Sequence, residues 1–563
     1  MSRLRRPNVV WLLVDSIRTY PTDADNRGKL RFMEEFGAES VEFAHCVTTA
    51  PSTIMSVTAM MTGLPAYFIA RNYDDFRFDN RHYESLPNVL KRHGYASLAF
   101  LRGQETRLKF RNLMDPVPES LWPDHLRHGL KWCNEDLLLL LRRVLDAGVP
   151  RPAFLFFHFN PATRNEKREM LVDDAVDENV RTAHRMLREA GFSPDDTITV
   201  VCSDHGFPDP SKGMTSEWEE KHRLTHDLVL TDDNILIPMY LQVPGIRPRR
   251  IDRPIGSMDI FPTILEMAGV PGLPEIRDSI VGESLAPVLR GEAEGPARRF
   301  FRCDARHMLQ TGRATALRGA DYKYIRFHDD FRVESGAWAS TDGEVLLDLR
   351  ADPGEVTNLL DGELSEEAGA ALAEARDEFR RTEARAVEFQ VRYLLARQPR
   401  IFERLSRRAA SARVLLAFEP GTAGFSEIGV AAVSRALPDA GIELLGETGT
   451  EAGGEGHASG SDRTGFDLAL VFVQDSGSEV AARLRGEAGE RRAREVLVVD
   501  CNFNSSARRD RYWYYRFRAF GERMRLVSRE PSLVLDTLRR GAFVLWRQAL
   551  RRLGRWDRWD LED

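Results

Sequence analysis

Apolar residues in the first two thirds of the chain fall into short unbroken runs, and polar residues collect where each run stops. Residues 9–14, 152–159 and 198–202 are runs of this kind, with the length and β-branched or aromatic character of strands buried on both faces. Helical spacing marks residues 83–93 before Gly94, 137–147, and 174–190 before Gly191. A strand over 43–49 leads to a helix that begins behind Pro51 and stops at Gly63 and Pro65, since proline suits a helix start and glycine its end. Residues 95–101 add a further strand, whereas residues 102–128 carry no clear period and are expected to be irregular. Strands alternating with helices predict an α/β sheet with crossover connections.

The second half changes character. Residues 234–241 form an apolar stretch, and Ser257-Met258-Asp259-Ile260-Phe261-Pro262 opens another helix. Residues 321–326 and 345–349 read as antiparallel strands, with a turn at Asp352-Pro353-Gly354-Glu355. Between Ser365 and about Arg408 the composition becomes Ala/Glu/Arg-rich and helical, as suits a connector. Arg413-Val414-Leu415-Leu416-Ala417-Phe418 then opens a second α/β pattern, continued by strands at 468–473 and 496–500 and by a Gly/Glu-rich loop at 446–465. Three parts are therefore expected: a domain over 1–370, a helical connector over 371–410, and a smaller Rossmann-like α/β domain over 411–563. Pro420-Gly421-Thr422-Ala423-Gly424 reads as an ordinary strand–helix turn ahead of a phosphate cradle. The basic tail with Trp546, Trp556 and Trp559 reads as packing on its own domain ahead of membrane-surface contact.

Composition narrows the function classes. At 563 residues the chain exceeds one ordinary core. A net charge of −7 is modest for this length and argues against general nucleic-acid binding. No apolar run reaches the roughly 18 residues of a membrane-spanning helix. The basic start, Met1 to Arg6, leads into an apolar run that ends in Asp15 without a small-residue cleavage site, so it reads as the first strand of a mature cytosolic protein. The five cysteines are scattered and odd in number, which disfavours a disulfide framework or a cysteine zinc site.

Candidate chemistry sits where the runs stop. In open parallel sheets, ligands gather beyond the carboxyl ends of the strands. Asp15 follows the first run, and Ser203-Asp204-His205-Gly206 follows the run at 198–202. Asp15 reads either as a site residue or as a helix cap. Asp204 with His205 reads either as a polar turn or as a metal site, because a buried carboxylate and imidazole need a partner. Thr53, at the start of the helix behind Pro51, is a cap unless a metal or base can activate it as a nucleophile. Lys221, His222 and His226 follow soon after, either as a solvated loop or as an anion or metal contact.

Together these motifs resemble the sulfatase-like branch of the alkaline phosphatase superfamily over roughly the first 370 residues. The matching series is Asp15-Ser16-Ile17-Arg18, Thr53-x-x-Ser56 before Thr62-Gly63-Leu64-Pro65, Ser203-Asp204-His205-Gly206, His226, and Asn234 to Pro238. It continues with Asp259-Ile260-Phe261-Pro262-Thr263-Ile264-Leu265, Gly282-Glu283-Ser284-Leu285, Tyr322-Lys323-Tyr324 and Asp348-Leu349-Arg350-Ala351-Asp352-Pro353-Gly354-Glu355. The resemblance implies a mostly parallel sheet sandwiched by helices and a divalent metal held by Asp15, Thr53, Asp204 and His205. It also implies that Thr53 is the nucleophile, with His158, His226 and Lys221 toward the substrate. Oxygen ligands with one imidazole favour zinc or manganese over calcium or magnesium. True sulfatases mature a Cys or Ser to formylglycine within Cys/Ser-x-Pro/Ala-x-Arg, whereas this chain has Thr53 and Val57 at those places. The Asp-x-His pair that the family commonly carries is also missing after His158.

The resulting expectation is a metal-dependent hydrolase or transferase. It would cleave a phosphate ester, or a sulfate ester, of a small molecule, glycan or lipid through a covalent Thr53 intermediate. A catalytically impaired member acting as a binding or scaffold protein is the alternative. A second activity in the carboxy-terminal domain, on a nucleotide or sugar, is the third reading.

Overall fold

Asn8–Val14 (β1) is buried along its whole length because it has a strand on either side and helices on both faces. Alternation along it decides which core each side chain joins. Val9, Trp11 and Leu13 enter one hydrophobic core, and Val10, Leu12 and Val14 enter the other. The computed structural model describes most of residues 6–397, leaving out chiefly 20–29, 69–77, 165–169, 209–228, 271–280 and 329–342, and beyond 397 it describes four strands.

In chain order β1 is followed by α1 (Arg31–Ala38), β2 (Val41–Val47), α2 (Thr53–Thr62), α3 (Leu86–Arg92), β3 (Ala96–Phe100), α4 (Asn134–Ala147) and β4 (Ala153–Phe159). A short hairpin, β5 (Thr163–Arg164) and β6 (Met170–Leu171), precedes α5 (Asp174–Glu189) and β7 (Thr197–Ser203). Then come α6 (Asp232–Ile235), β8 (Leu236–Gln242), β9 (Arg249–Ile251), β10 (Ile255–Gly256), α7 (Ile260–Met267) and α8 (Ala286–Arg290). The sheet runs β10-β2-β8-β7-β1-β4-β3, with β9 also on β2. Every pairing in it is parallel except the two made by β8. This is the mixed, mostly parallel sheet expected of the sulfatase fold.

A second sheet is antiparallel, in the order β11 (Phe301–Arg306), β12 (Arg313–Arg318), β13 (Tyr322–His328) and β14 (Glu344–Asp348). The long helix α9 (Glu366–Arg397) lays Ala368, Leu372 and Ala375 against Tyr322 and Tyr324 of this sheet, and Ala386 and Phe389 against the main core. Further on, β15 (Arg413–Phe418), β16 (Gly441–Leu445), β17 (Leu468–Val473) and β18 (Val496–Asp500) pair in parallel in the order β16-β15-β17-β18, a Rossmann-like arrangement.

Several elements differ from expectation. The expected strand over 43–49 begins two residues earlier, and the helix over 83–93 is shorter, at Leu86–Arg92. The stretch 102–128 does contain two short 3-10 turns, Glu119–Leu121 and Asp124–Leu126. Strands β11, β12 and β16 were not evident from the apolar pattern. In β11 the reason is visible: Arg302 and Asp304 are buried and pair with each other, so charge there does not signal exposure. The loop at 446–465 and the basic aromatic tail lie outside the described residues.

Candidate metal centre and nucleophile

Strands β1 and β7 lie side by side in parallel with Val14 opposite Ser203. Asp15 and Asp204, each the first residue past its strand, therefore emerge together, Asp15 7% exposed and Asp204 fully buried. The two exits are bonded to one another. Ser16 donates its backbone N–H to Asp204 Oδ1 (3.1 Å) and its hydroxyl to Asp15 Oδ1 (2.6 Å), and Ile17 N–H reaches Ser203 Oγ (2.9 Å). Ser16 does so from a left-handed backbone, φ 58°, which a non-glycine residue adopts only at a cost.

His205 is buried directly after Asp204. Its Nδ1 lies 2.7 Å from the carbonyl of Gly206, which can only accept, so Nδ1 carries the proton. The lone pair on Nε2 then faces Asp204 Oδ2 at 3.7 Å, Asp15 Oδ1 at 4.0 Å and Thr53 Oγ1 at 3.4 Å. Thr53 is the first residue of α2, whose first backbone N–H groups have no partner within the helix. The helix is fixed against the site by hydroxyls: Ser56 Oγ (2.6 Å) and Thr48 Oγ1 (2.7 Å) both donate to the Asp204 carbonyl. Val57, one turn beyond Thr53, is wholly in the core.

These residues fit a divalent cation. One ligand atom each from Asp15, Asp204 and His205 lie within 4.8 Å of one another. Asp204 Oδ2 is buried and accepts no hydrogen bond among the described residues, an orphaned charge that a cation would satisfy. Two carboxylates and a neutral imidazole are donors that a divalent cation accepts.

Arg102 and His158 complete the cluster. The Arg102 guanidinium donates to Asp15 Oδ2 at 2.7 Å and to Asn160 Oδ1 at 2.6 Å. His158, on β4 opposite Leu13, is buried with Nε2 3.4 Å from Asp15 Oδ2 and its ring edge-on to Phe110. Burial would raise the Asp15 carboxyl, but Arg102, with His158 and His205, outweighs it and holds the group well below the ordinary carboxylate range. Burial pushes the His158 imidazole down, and Arg102 adds to that push against the opposing pull of Asp15.

Asp15, Thr53, Asp204, His205 and His158 are thus brought together, while Lys221, His222 and His226 lie outside the described residues. Sequence reasoning missed Arg102. It sits just past β3, the neighbour of β4, and its place at the carboxyl end of an apolar run was the available signal.

A mostly parallel sheet with paired carboxylates past adjacent strands, and a hydroxyl at a facing helix start, is the arrangement that the resemblance to the alkaline phosphatase superfamily implied. Within that class, residues 7–161 match the Sulfatase family, and residues 221–382 match the family described as N-sulphoglucosamine sulphohydrolase, C-terminal. The first 380 or so residues of the chain belong to the sulfatase family. A choline-sulfatase of Rhizobium meliloti is 28% identical over 207 residues, 37% of this chain and 33% of its own length. A delta 4,5-hexuronate-2-O-sulfatase of Bacteroides thetaiotaomicron is 29% identical over 174 residues, 29% and 30% of the two chains. The match therefore spans about a third of these curated relatives. Among solved structures, a 2-O GAG sulfatase superposes with a TM-score of 0.50 at 18% identity, covering 68% of this chain and 92% of its own. That likeness establishes the fold.

Proposed function

We propose that this domain is a metal-dependent hydrolase or transferase that cleaves an anionic ester, phosphate ahead of sulfate, with Thr53 as the nucleophile. The observation that carries this reading is Thr53 Oγ1 placed 3.4 Å from His205 Nε2, at the edge of the Asp15–Asp204–His205 group. In the proposed roles Asp15, Asp204 and His205 hold the cation. A divalent cation bound there would lower the pKa of an adjacent hydroxyl and offset negative charge on the reacting ester. The free N–H groups at the start of α2 favour an anion in front of Thr53, and Arg102 offers a cationic contact to the ester's non-bridging oxygens.

The chemistry of residue 53 bears on the substrate. Formylglycine is an aldehyde, and oxidation of threonine's secondary alcohol would give a ketone instead. No arginine stands one turn on, since Val57 is core. Both points support a threonine alkoxide that attacks phosphorus, bonds to it and expels the ester alcohol. Water then releases the phosphoryl group from Thr53, or an acceptor alcohol takes it. The curated relatives are named for sulfate esters, so sulfate is the substrate to test against phosphate.

Zinc- or manganese-loaded protein should be assayed with an aryl phosphate monoester, diester, phosphonate and sulfate. Thr53→Ala should lower turnover at least a thousandfold while the melting temperature stays close to wild type. The peptide carrying Thr53 should gain one phosphoryl group on quenching. Wild-type protein inactive on the whole panel, or undiminished activity in Thr53→Ala, would overturn the proposal. Metal binding without activity would instead favour the scaffold reading.

A further inference from the structure

We propose that Lys323, on the antiparallel sheet, is a positioning residue for His205, acting through Asp232 and the short helix α6. The inference rests on the reading of His205 as a cation ligand, but the clamp itself stands on contacts within the chain.

Lys323 is fully buried on β13. A buried ammonium needs acceptors and counter-charge: the Leu230 carbonyl accepts at 3.1 Å, and ion-pair contacts run to Asp232 Oδ1 at 2.5 Å and, closer still, to Glu355 Oε1. Arg318 of β12 adds a contact to Asp232 Oδ2 at 3.1 Å. Glu355 uses its other oxygen to accept the Asp232 N–H at 2.7 Å. Burial would raise the Asp232 carboxyl, but Lys323 and Arg318 outweigh it and keep the group ionised. Two cations and two anions thus close a buried cluster around the first residue of α6.

The rest of α6 and its neighbours hold the metal-side loop through successive backbone carbonyls. Asp233 O accepts from Phe207 N–H (3.2 Å), Asn234 O from Gly206 N–H (2.9 Å), and Ile235 O from Thr48 N–H (2.9 Å). Gly206 is the residue whose carbonyl fixes His205 Nδ1. Thr48 in turn donates to the Asp204 carbonyl. A side-chain cluster on one sheet therefore sets the peptide that aims the imidazole on the other. Outer contacts of this kind orient ligands and tune affinity.

The test uses full-length protein and two readouts, amide exchange at Gly206 and Phe207 in metal-free protein and zinc affinity by competition with a chromophoric chelator. In Lys323→Met, exchange at both amides should accelerate beyond what its global stability loss explains, and zinc should bind about tenfold more weakly. Lys323→Arg should recover part of both effects. Leu346→Ala on neighbouring β14 opens a cavity on the opposite face of the sheet; it should lower the melting temperature and leave both readouts in place. Should Lys323→Met fail to fold, Glu355→Gln, which keeps the side-chain shape, should move both readouts in the same direction. Destabilised variants with unchanged Gly206 exchange and zinc affinity within twofold of wild type would overturn the proposal. If wild-type protein binds neither zinc nor manganese, the ligand reading of His205 fails, and the exchange measurement still decides the clamp.

Discussion

Gly206 shows how little room the site leaves. A Cβ there would stand 2.1 Å from the Asp233 carbonyl oxygen. Backbone cannot yield as a flexible side chain can, so Gly206→Ala should cost roughly 2–3 kcal/mol in chemical denaturation. It should also impair zinc binding, because the displaced peptide is the one that fixes His205. Arg102 calls for the opposite sign on the metal. It neutralises Asp15 in the structure, so Arg102→Ala makes the site more negative. Zinc should then bind at least as tightly, while KM for an anionic ester rises about tenfold or more. A weaker zinc site with unchanged KM would contradict both roles. The site residues also differ in how legible they were. Asp204 and His205 announced themselves by ending an apolar run, whereas Arg102 looked like the first residue of an irregular stretch. Its pairing with Asp15, 87 positions away, is fixed by strand order, which no local pattern reports.

At the scale of elements, α1 and α5 pack together through a histidine. His184 lies between Phe32 and Phe36, with ring centroids 5.3 and 5.6 Å away. Burial, with Arg188 nearby, lowers its pKa to about 4. The folded state therefore resists a proton that the unfolded chain accepts near pH 6.5. This contribution is fully present above about pH 6.5 and is lost as pH falls toward 4, up to roughly 3 kcal/mol. Urea midpoints across that range should fall more steeply for wild type than for His184→Phe. Equal slopes would exclude His184 as a source. The same pair of helices illustrates legibility: α5 was evident from its period and from Gly191, yet the proton sensitivity comes first from burial against two phenylalanines on a different helix, with Arg188 adding to it.

For the whole molecule, the candidate cation should couple to stability. At a free zinc concentration about a hundred times Kd, binding to the native state alone adds about 2.7 kcal/mol. Wild-type protein should melt higher with zinc and lower after chelation, and Asp204→Asn should lose most of that difference. The sheet itself was largely readable, because strands buried on both faces must be apolar throughout. What escaped were elements whose charges are buried in pairs, such as Arg302 with Asp304, and the ladder of contacts from Lys323 to His205 that only the assembled sheets create.

The direction of β8 has a consequence for how this protein can change. Being antiparallel to β7, it starts at the edge of the sheet where β7 ends, so the chain leaves at Pro208 and re-enters at Val229 beside the same mouth. No crossover has to be threaded between those two points. A connection whose two ends meet at one edge of the sheet can change length at only a slowly growing cost in closure entropy. Lengthening this connection by a few glycine and serine residues should therefore leave the melting temperature nearly unchanged, and a large drop would contradict the shared-edge geometry.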